Sequence, residues 1–373
     1  MIEILEVVTR KLQKEFVDFP LNLYKDNPYF VPPLYADEMN IFNKKNIYLD
    51  TCEQICYLAK KDGKVVGRIQ GIIQHLSNEK ECEKKARFTR FDSIDDESVA
   101  HALFDAVEGW AKEKGITCVH GPLGYSDLER EGLLIWGFNE LSTFEEQYNY
   151  EYYQKLIEDC GYQKDVDWLE YKIYPPKEVD ERIIKIADRV LERNKLHLCV
   201  GKNKNKFIEK YKDGIFETLD EAYAPLYGTI PFTEKMKQQL ISQFKLIISL
   251  DYVIVVADEN EKVVAFGLGF PSMSKAVQEC KGKLFPTGVF KILKAVKNPK
   301  ILDLGLIAVR PEYQNKGVNS IILKQMMSFL VNNKIEYCET NLELESNDKV
   351  QQQWKFFETE HHKRRRAFIK YLK

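Results

Sequence analysis

Three observations predict an α+β protein built from two similar halves. Strand-like and helix-like stretches run twice in the same order, at an offset of about 200 residues. Each half carries a β-hairpin signal at the same point of that order, and Lys64-Val65-Val66-Gly67 in the first matches Lys262-Val263-Val264-Ala265 in the second. Tyr174-Pro175-Pro176 interrupts the chain near its middle, because proline disfavours helix in itself and in the residue before it. A length of 373 residues suits two domains. The expected division is residues 1–174, a linker helix over 175–195, and residues 196–373. A single large α/β domain without a repeat is the alternative.

In the first half, Met1 to Thr9 reads as a strand and Lys11 to Tyr24 as a helical stretch interrupted by Pro20. Asn27 to Pro33 is an extended, proline-bearing linker, and Leu34 to Phe42 a short helix. Cys56 to Ile73 forms a hairpin that turns at Asp62-Gly63. After a strand at Ala86 to Phe91, Asp95-Asp96-Glu97 opens a helix whose apolar side carries Val99, Leu103, Phe104, Val107 and Trp110. Ile116 to His120 is a strand, Tyr150 to Cys160 a helix and Asp167 to Ile173 a strand.

The second half opens with an amphipathic connector helix, Val179 to Leu191, and a strand, Leu196 to Val200. Helices follow at Ile215 to Tyr227 and Glu234 to Ile248, then a hairpin at Tyr252 to Gly269. Ile301 to Val309 is an apolar run of strand length. The face Val318, Ile321, Ile322, Met326, Phe329 and Leu330 predicts a helix over Gly317 to Val331. Glu336 to Leu344 is a strand and Lys349 to Phe357 a helix. Arg364 to Leu372 closes the chain as an edge strand whose charged face is the run His361 to Arg366.

Apolar residues make up 44% of the chain and charged residues 30%, as in a water-soluble protein with real cores. The net charge of −2 gives no global electrostatic case for nucleic acid or a membrane surface. No apolar run has the length of a membrane span, and the acid-bearing N-terminus resembles a strand, not a signal peptide. Eight cysteines lack paired spacing and complete no zinc pattern, so no metal is expected and reduced thiols in a cytoplasm are.

The chemistry centres on Asp303 to Asn319. A strand turning sharply into a helix presents free backbone N–H groups at a positive dipole end, which suits an anion. Gly317 has no Cβ, so a phosphate can come close to the backbone there. The spacing Gln314-x-x-Gly317-x-Asn319 resembles the acetyl-CoA pyrophosphate loop of the GNAT N-acetyltransferase superfamily, Arg/Gln-x-x-Gly-x-Gly/Ala, with Asn319 departing from the last position. Ile307 to Glu312 is similar to that family's strand-to-loop passage. The resemblance implies two domains, each a mixed, mostly antiparallel sheet flanked by helices.

It also implies acetyl transfer from acetyl-CoA to an amine of a small molecule or peptide. The backbone of Ile307, Ala308 and Val309 would pair with the pantetheine arm, and Gln314, Asn315, Lys316, Gly317, Val318 and Asn319 would hold the pyrophosphate. Asn347 fits the family's asparagine in its next helix, and Asp303 stands where some members carry a basic glutamate. Trp354 falls where the family often has a catalytic tyrosine, and an indole N–H cannot serve as that acid. In the first half, Asp92, Asp95, Asp96 and Glu97 stand at the corresponding turn with no glycine, so that half is expected to be degenerate. A non-catalytic acyl-CoA-binding protein and an aminoacyl or peptidyl transferase of related fold are the alternatives.

Overall fold

The computed structural model describes residues 1–373 and contains two compact units, each discontinuous in sequence. Unit 1 comprises Met1–Leu169, Met273–Leu293 and His362–Lys373; unit 2 comprises Glu170–Ser272 and Lys294–His361. The first repeat supplies strands β1 (Ile2–Glu6), β2 (Cys52–Lys61), β3 (Lys64–Gln74), β4 (Lys85–Ser93), β5 (Cys118–Gly121), β6 (Leu133–Trp136) and β7 (Gln163–Tyr174). The second supplies β8 (His197–Leu198), β9 (Val253–Ala257), β10 (Val263–Pro271), β11 (Ile301–Val309), β12 (Tyr337–Glu339), β13 (Glu343–Leu344) and β14 (Glu358–Tyr371).

Both units follow one pairing scheme. In unit 1, β1 to β4 pair antiparallel in turn, β4 and β5 run parallel, and β5 pairs antiparallel with Phe368 to Tyr371 of β14. In unit 2, β8 to β11 pair antiparallel, β11 and β12 run parallel, and β12 pairs antiparallel with Ile173 and Lys172 of β7. The last strand of each unit therefore comes from the end of the other repeat. Strands β4 and β11 occupy equivalent places, each between an antiparallel and a parallel neighbour. Each sheet is thus mixed and mostly antiparallel.

Unit 1 buries Val99, Leu103, Phe104 and Val107 of the helix Glu97–Glu113 against β2 to β4. Its N-cap is Asp96, which accepts from the backbone N–H of Ser98 at 3.0 Å. Unit 2 has a core on each face of its sheet. One packs the helix Asn319–Asn332 and the helix Glu181–Arg193, through Ile183, Ala187 and Val190, against Val264 and Leu302. The other packs Phe207, Tyr211, Phe216 and Leu219 of the helix Lys204–Tyr223 against Val255, Phe266 and Ala308.

Several expectations change. Pro20 does not interrupt its helix, which runs unbroken over Arg10–Leu23. Proline removes the N–H that Phe16 O would have accepted, and the Arg68 guanidinium donates to that carbonyl instead, at 3.0 Å. Strand β14 is interior, between β5 and β7, and not an edge. Its basic run alternates between buried and half-buried positions: Lys363 and Arg365 have no exposed surface, while the half-buried Arg364 and Arg366 both donate at 2.7 Å to the buried Asp167. The strand expected over 336–344 is broken into β12 and β13. The segment between the hairpin and β11 carries two helices, Ser274–Glu279 and Gly288–Lys297, that short apolar runs did not announce.

Arg68 also pairs with Asp92 at 2.8 Å and Glu38 at 3.4 Å, all three buried. Burial alone would raise the Glu38 carboxyl, but Arg90 and Arg68 outweigh it and bring it down to about 2. Replacing Arg68 by Met leaves buried Asp92 without its cation and one helix carbonyl without its donor, while Glu38 keeps Arg90. Urea denaturation of Arg68→Met is expected to show a loss of roughly 3–5 kcal/mol, whereas exposed Arg182→Met, whose ion pair with Asp180 lies at the surface, should leave the denaturation midpoint essentially unchanged.

Candidate functional site

Strands β11 and β12 are in register only at Ile301↔Tyr337, Leu302↔Cys338 and Asp303↔Glu339. Beyond that last pair β12 ends, while β11 continues to Val309 paired with β10 alone. The register against β10 shifts between Gly267 and Gly269, where three steps along β11 oppose two along β10. A bulge at Gly305 and Leu306 follows from that count. The result is an edge of β11, from Leu304 to Val309, with no strand beside it. Such an edge can accept an extended chain by adding one. Ile307, Ala308 and Val309 all lie on it, and the Tyr223 hydroxyl donates to Ile307 O at 3.2 Å.

The end of β11 is pinned. Arg310 is buried and donates to Val263 O at 2.7 Å, to Glu217 at 2.8 Å and to Glu221. Pro311–Tyr313 makes one 3₁₀ turn, and Gln314 Nε2 donates back to Val309 O at 3.1 Å. Asn315 and Gly317 then take positive φ, +60° and +82°. Backbone N–H groups from Asn315 to Asn319 bond to no backbone carbonyl, so they are available at the start of the helix Asn319–Asn332. Lys316 lies with its ammonium 5.3 Å from the Tyr313 ring centroid, and its carbonyl accepts from Arg193 at 3.0 Å. Val318 is buried in the core. Gly317 has a structural reason of its own, since a Cβ there would meet Val190 Cγ2 at 3.1 Å.

Asp303 and Glu339, paired across the strands, are both buried. Leu302, Leu304 and Cys338 point into the core beneath the helix Asn319–Asn332, so both acids point to the opposite face. Burial first, and the Asp303 charge second, raise the Cys338 thiol well above its ordinary value. Asn347 caps the short helix Asp348–Gln353, accepting from Val350 N–H at 3.4 Å, which gives it a local structural role. Trp354 is buried, and its indole N–H donates to Glu343 Oε1 at 2.6 Å.

Sequence reasoning missed Glu343. It is buried, burial pushes its carboxyl up to about 8 against the smaller opposing effect of the Trp354 hydrogen bond, and its Oε2 has no hydrogen-bond partner. The strand-like stretch Glu336 to Leu344 carries three glutamates, and nothing in the sequence singles out Glu343 or shows that Trp354 would cover it.

Unit 1 has the same geometry with different contents. Strand β4 is in register with β5 as far as Arg87↔His120, so a buried arginine takes the place of Asp303. The free edge of β4 is filled by the unit itself. Leu123 N–H donates to Phe88 O at 2.9 Å, Tyr153 Oη accepts from Ser93 N–H at 2.9 Å, and the Tyr152 hydroxyl donates to Ser93 O at 2.7 Å. The acids of this turn are engaged otherwise than expected. Asp92 pairs with Arg68 and accepts from the Tyr24 hydroxyl at 2.9 Å, and Asp96 caps a helix and pairs with Lys61 at 2.9 Å.

An antiparallel sheet with one splayed parallel pair, and a strand–turn–helix passage beside the splay, is the arrangement of the acetyltransferase fold. Residues 213–359 match the acetyltransferase (GNAT) family model. The whole chain is similar in fold to a tandem GNAT protein from the clavulanic acid biosynthesis pathway, at 10% identity and a TM-score of 0.56, over 100% of this chain and 98% of that one. A GCN5-related N-acetyltransferase from Sphaerobacter thermophilus aligns at 10% identity and a TM-score of 0.54, over 99% and 95%. Among curated proteins, the chain is 29% identical to Protein YghO of Escherichia coli (strain K12) over 96% of its length and 93% of that protein. It is 28% identical to a bacterial ceramide synthase of Caulobacter vibrioides, over 84% and 82%. The whole chain therefore shares the fold of tandem GNAT proteins, and the family match itself lies within residues 213–359 of the second repeat.

The raised Glu343 carboxyl has a consequence for stability. The unfolded group ionises near 4.5 and the folded one near 8. Its contribution is therefore full below pH 4.5 and is lost as pH rises through that window. Glutamine does not titrate, so Glu343→Gln should gain stability relative to the unaltered protein as pH rises from about 4.5 to about 8, on the order of a few kcal/mol, and no further above it. Denaturation midpoints across that range measure the difference.

Proposed function

We propose that unit 2 transfers an acyl group from acyl-CoA, acetyl-CoA in the simplest case, to an amine. The observation that carries this reading is the edge Leu304 to Val309, which has no strand beside it, leading into the free N–H groups of Asn315 to Asn319. The edge would pair with the amide groups of the pantetheine arm, and the loop from Gln314 to Asn319 would hold the pyrophosphate. Asn347 is a further candidate contact, alongside its capping role. Unit 1, with its edge filled, is the non-binding copy.

Asp303 and Glu343 divide the proton work. The amine nitrogen gives a proton to the Asp303 carboxylate and attacks the thioester carbonyl. As the C–N bond forms, the C–S bond breaks and the thiolate takes a proton from Glu343 Oε2. Water returns the proton balance between the two carboxyl groups. Glu343, protonated below about pH 8 and held by Trp354, supplies the acid that an indole cannot. The ceramide synthase relative supports an amine acceptor and raises a long-chain lipid amine as its class, since a ceramide is an N-acylated long-chain amine.

Release of free coenzyme A in the presence of an amine pool, including a long-chain amino alcohol, tests the reading. Asp303→Asn is expected to slow release by at least about tenfold at pH 7 with unchanged coenzyme binding, a deficit that narrows as pH rises and free amine accumulates. Rates in the unaltered protein should fall above about pH 8 as Glu343 loses its proton, and Glu343→Gln should be slower by about 10²-fold and lack that limb. Full activity in Asp303→Asn at pH 7 would dismiss the base.

A further inference from the structure

The segment from Cys280 to Lys300 plays no part in acyl transfer as described above. It holds six lysines, at 281, 283, 291, 294, 297 and 300, and no aspartate or glutamate, in a chain whose net charge is −2. Within it, the helix Gly288–Lys297 turns Gly288, Val289, Ile292, Ala295 and Val296 toward covered surroundings. At helical spacing the opposite arc carries Phe290, Leu293, Lys294 and Lys297, and all four are exposed. Phe290 is 73% exposed and Leu293 56%, while Phe285 in the turn just before the helix is 82% exposed.

Large apolar side chains left this open in water are normally covered by something. Lys291, on the covered side, is already engaged by Glu279 at 3.2 Å. Lys283 sits over the Tyr35 ring at 5.1 Å, and Lys300 lies 3.9 Å from Glu336. Lys294 and Lys297 are exposed on the same helix arc as Phe290 and Leu293, and Lys281 is exposed in a turn before it. A second copy docking through this same face would bring lysine against lysine, which opposes self-association. A helix of ten residues is also far too short to span a bilayer, and no helix of the chain is long and apolar enough to cross one.

Apolar groups flanked by lysines that reach outward fit an interface whose interior is hydrocarbon and whose surface is anionic. We propose that the face Phe290, Leu293, Lys294 and Lys297, with Phe285, docks the protein peripherally on an anionic lipid bilayer. The whole-chain charge conceals this, because the acids lie elsewhere in the sequence. The inference stands on this surface alone and does not depend on the reaction catalysed.

Co-sedimentation of the full chain with vesicles tests it without any activity measurement. Vesicles of equal phosphatidylcholine and phosphatidylglycerol should bind at least about tenfold more protein than phosphatidylcholine alone, and binding should be lost near 1 M salt, where the Debye length is about 3 Å. Lys294→Glu with Lys297→Glu, and separately Phe290→Ser with Leu293→Ser, should each lower partitioning by about tenfold or more while circular dichroism stays unchanged. Failure of the unaltered protein to bind anionic vesicles would overturn the proposal. So would binding unaffected by either double variant, or a dimer in sedimentation velocity that Phe290→Ser dissolves.

Discussion

Backbone N–H and C=O groups need partners, and the candidate site follows from one strand losing its neighbouring strand part-way along. Strand β11 outruns β12 after Asp303↔Glu339, and every group on that edge from Leu304 to Val309 must look elsewhere. Unit 1 meets the identical constraint at β4 and resolves it internally, with Leu123 N–H and the hydroxyls of Tyr152 and Tyr153. The same topology therefore yields a closed edge in one unit and an open one in the other. Side chains near the splay follow suit: Arg87 in one unit, Asp303 in the other.

Charge placement around the open edge is selective. Buried Arg310 holds the end of β11 to Glu217 and Glu221, and the half-buried Arg364 and Arg366 share the buried Asp167. Glu343 differs: its hydrogen-bond partner is a neutral indole donor, not a cation, and one of its oxygens is unpaired. A carboxyl in that setting keeps its proton near neutrality. Trp354 looked like the loss of an acid when read as a residue type. In three dimensions it is the group that buries one.

Much of this was legible in the sequence. The Asp62-Gly63 hairpin, the amphipathic helix after Gly317 and the acid-opened helix at Glu97 fall where local pattern puts them, because each is decided by residues within a few positions. The loop from Gln314 to Asn319 was readable for the same reason. What escaped depends on distant partners. Arg68 mends the helix around Pro20 from 52 residues away in sequence. Asp167 turns a basic tail into an interior strand across nearly 200 residues. No local pattern announces that the last strand of each unit belongs to the other repeat, or that Glu343 meets Trp354.

Hydrogen exchange of the intact chain, with and without coenzyme A, tests the asymmetry between the two edges most directly. Slowed exchange at Leu304 to Val309 and at Asn315 to Leu323 on coenzyme addition, with Phe88 to Ser98 unchanged, is the predicted result. Protection at Phe88 to Ser98, or no change at either edge under saturating coenzyme, would contradict the account.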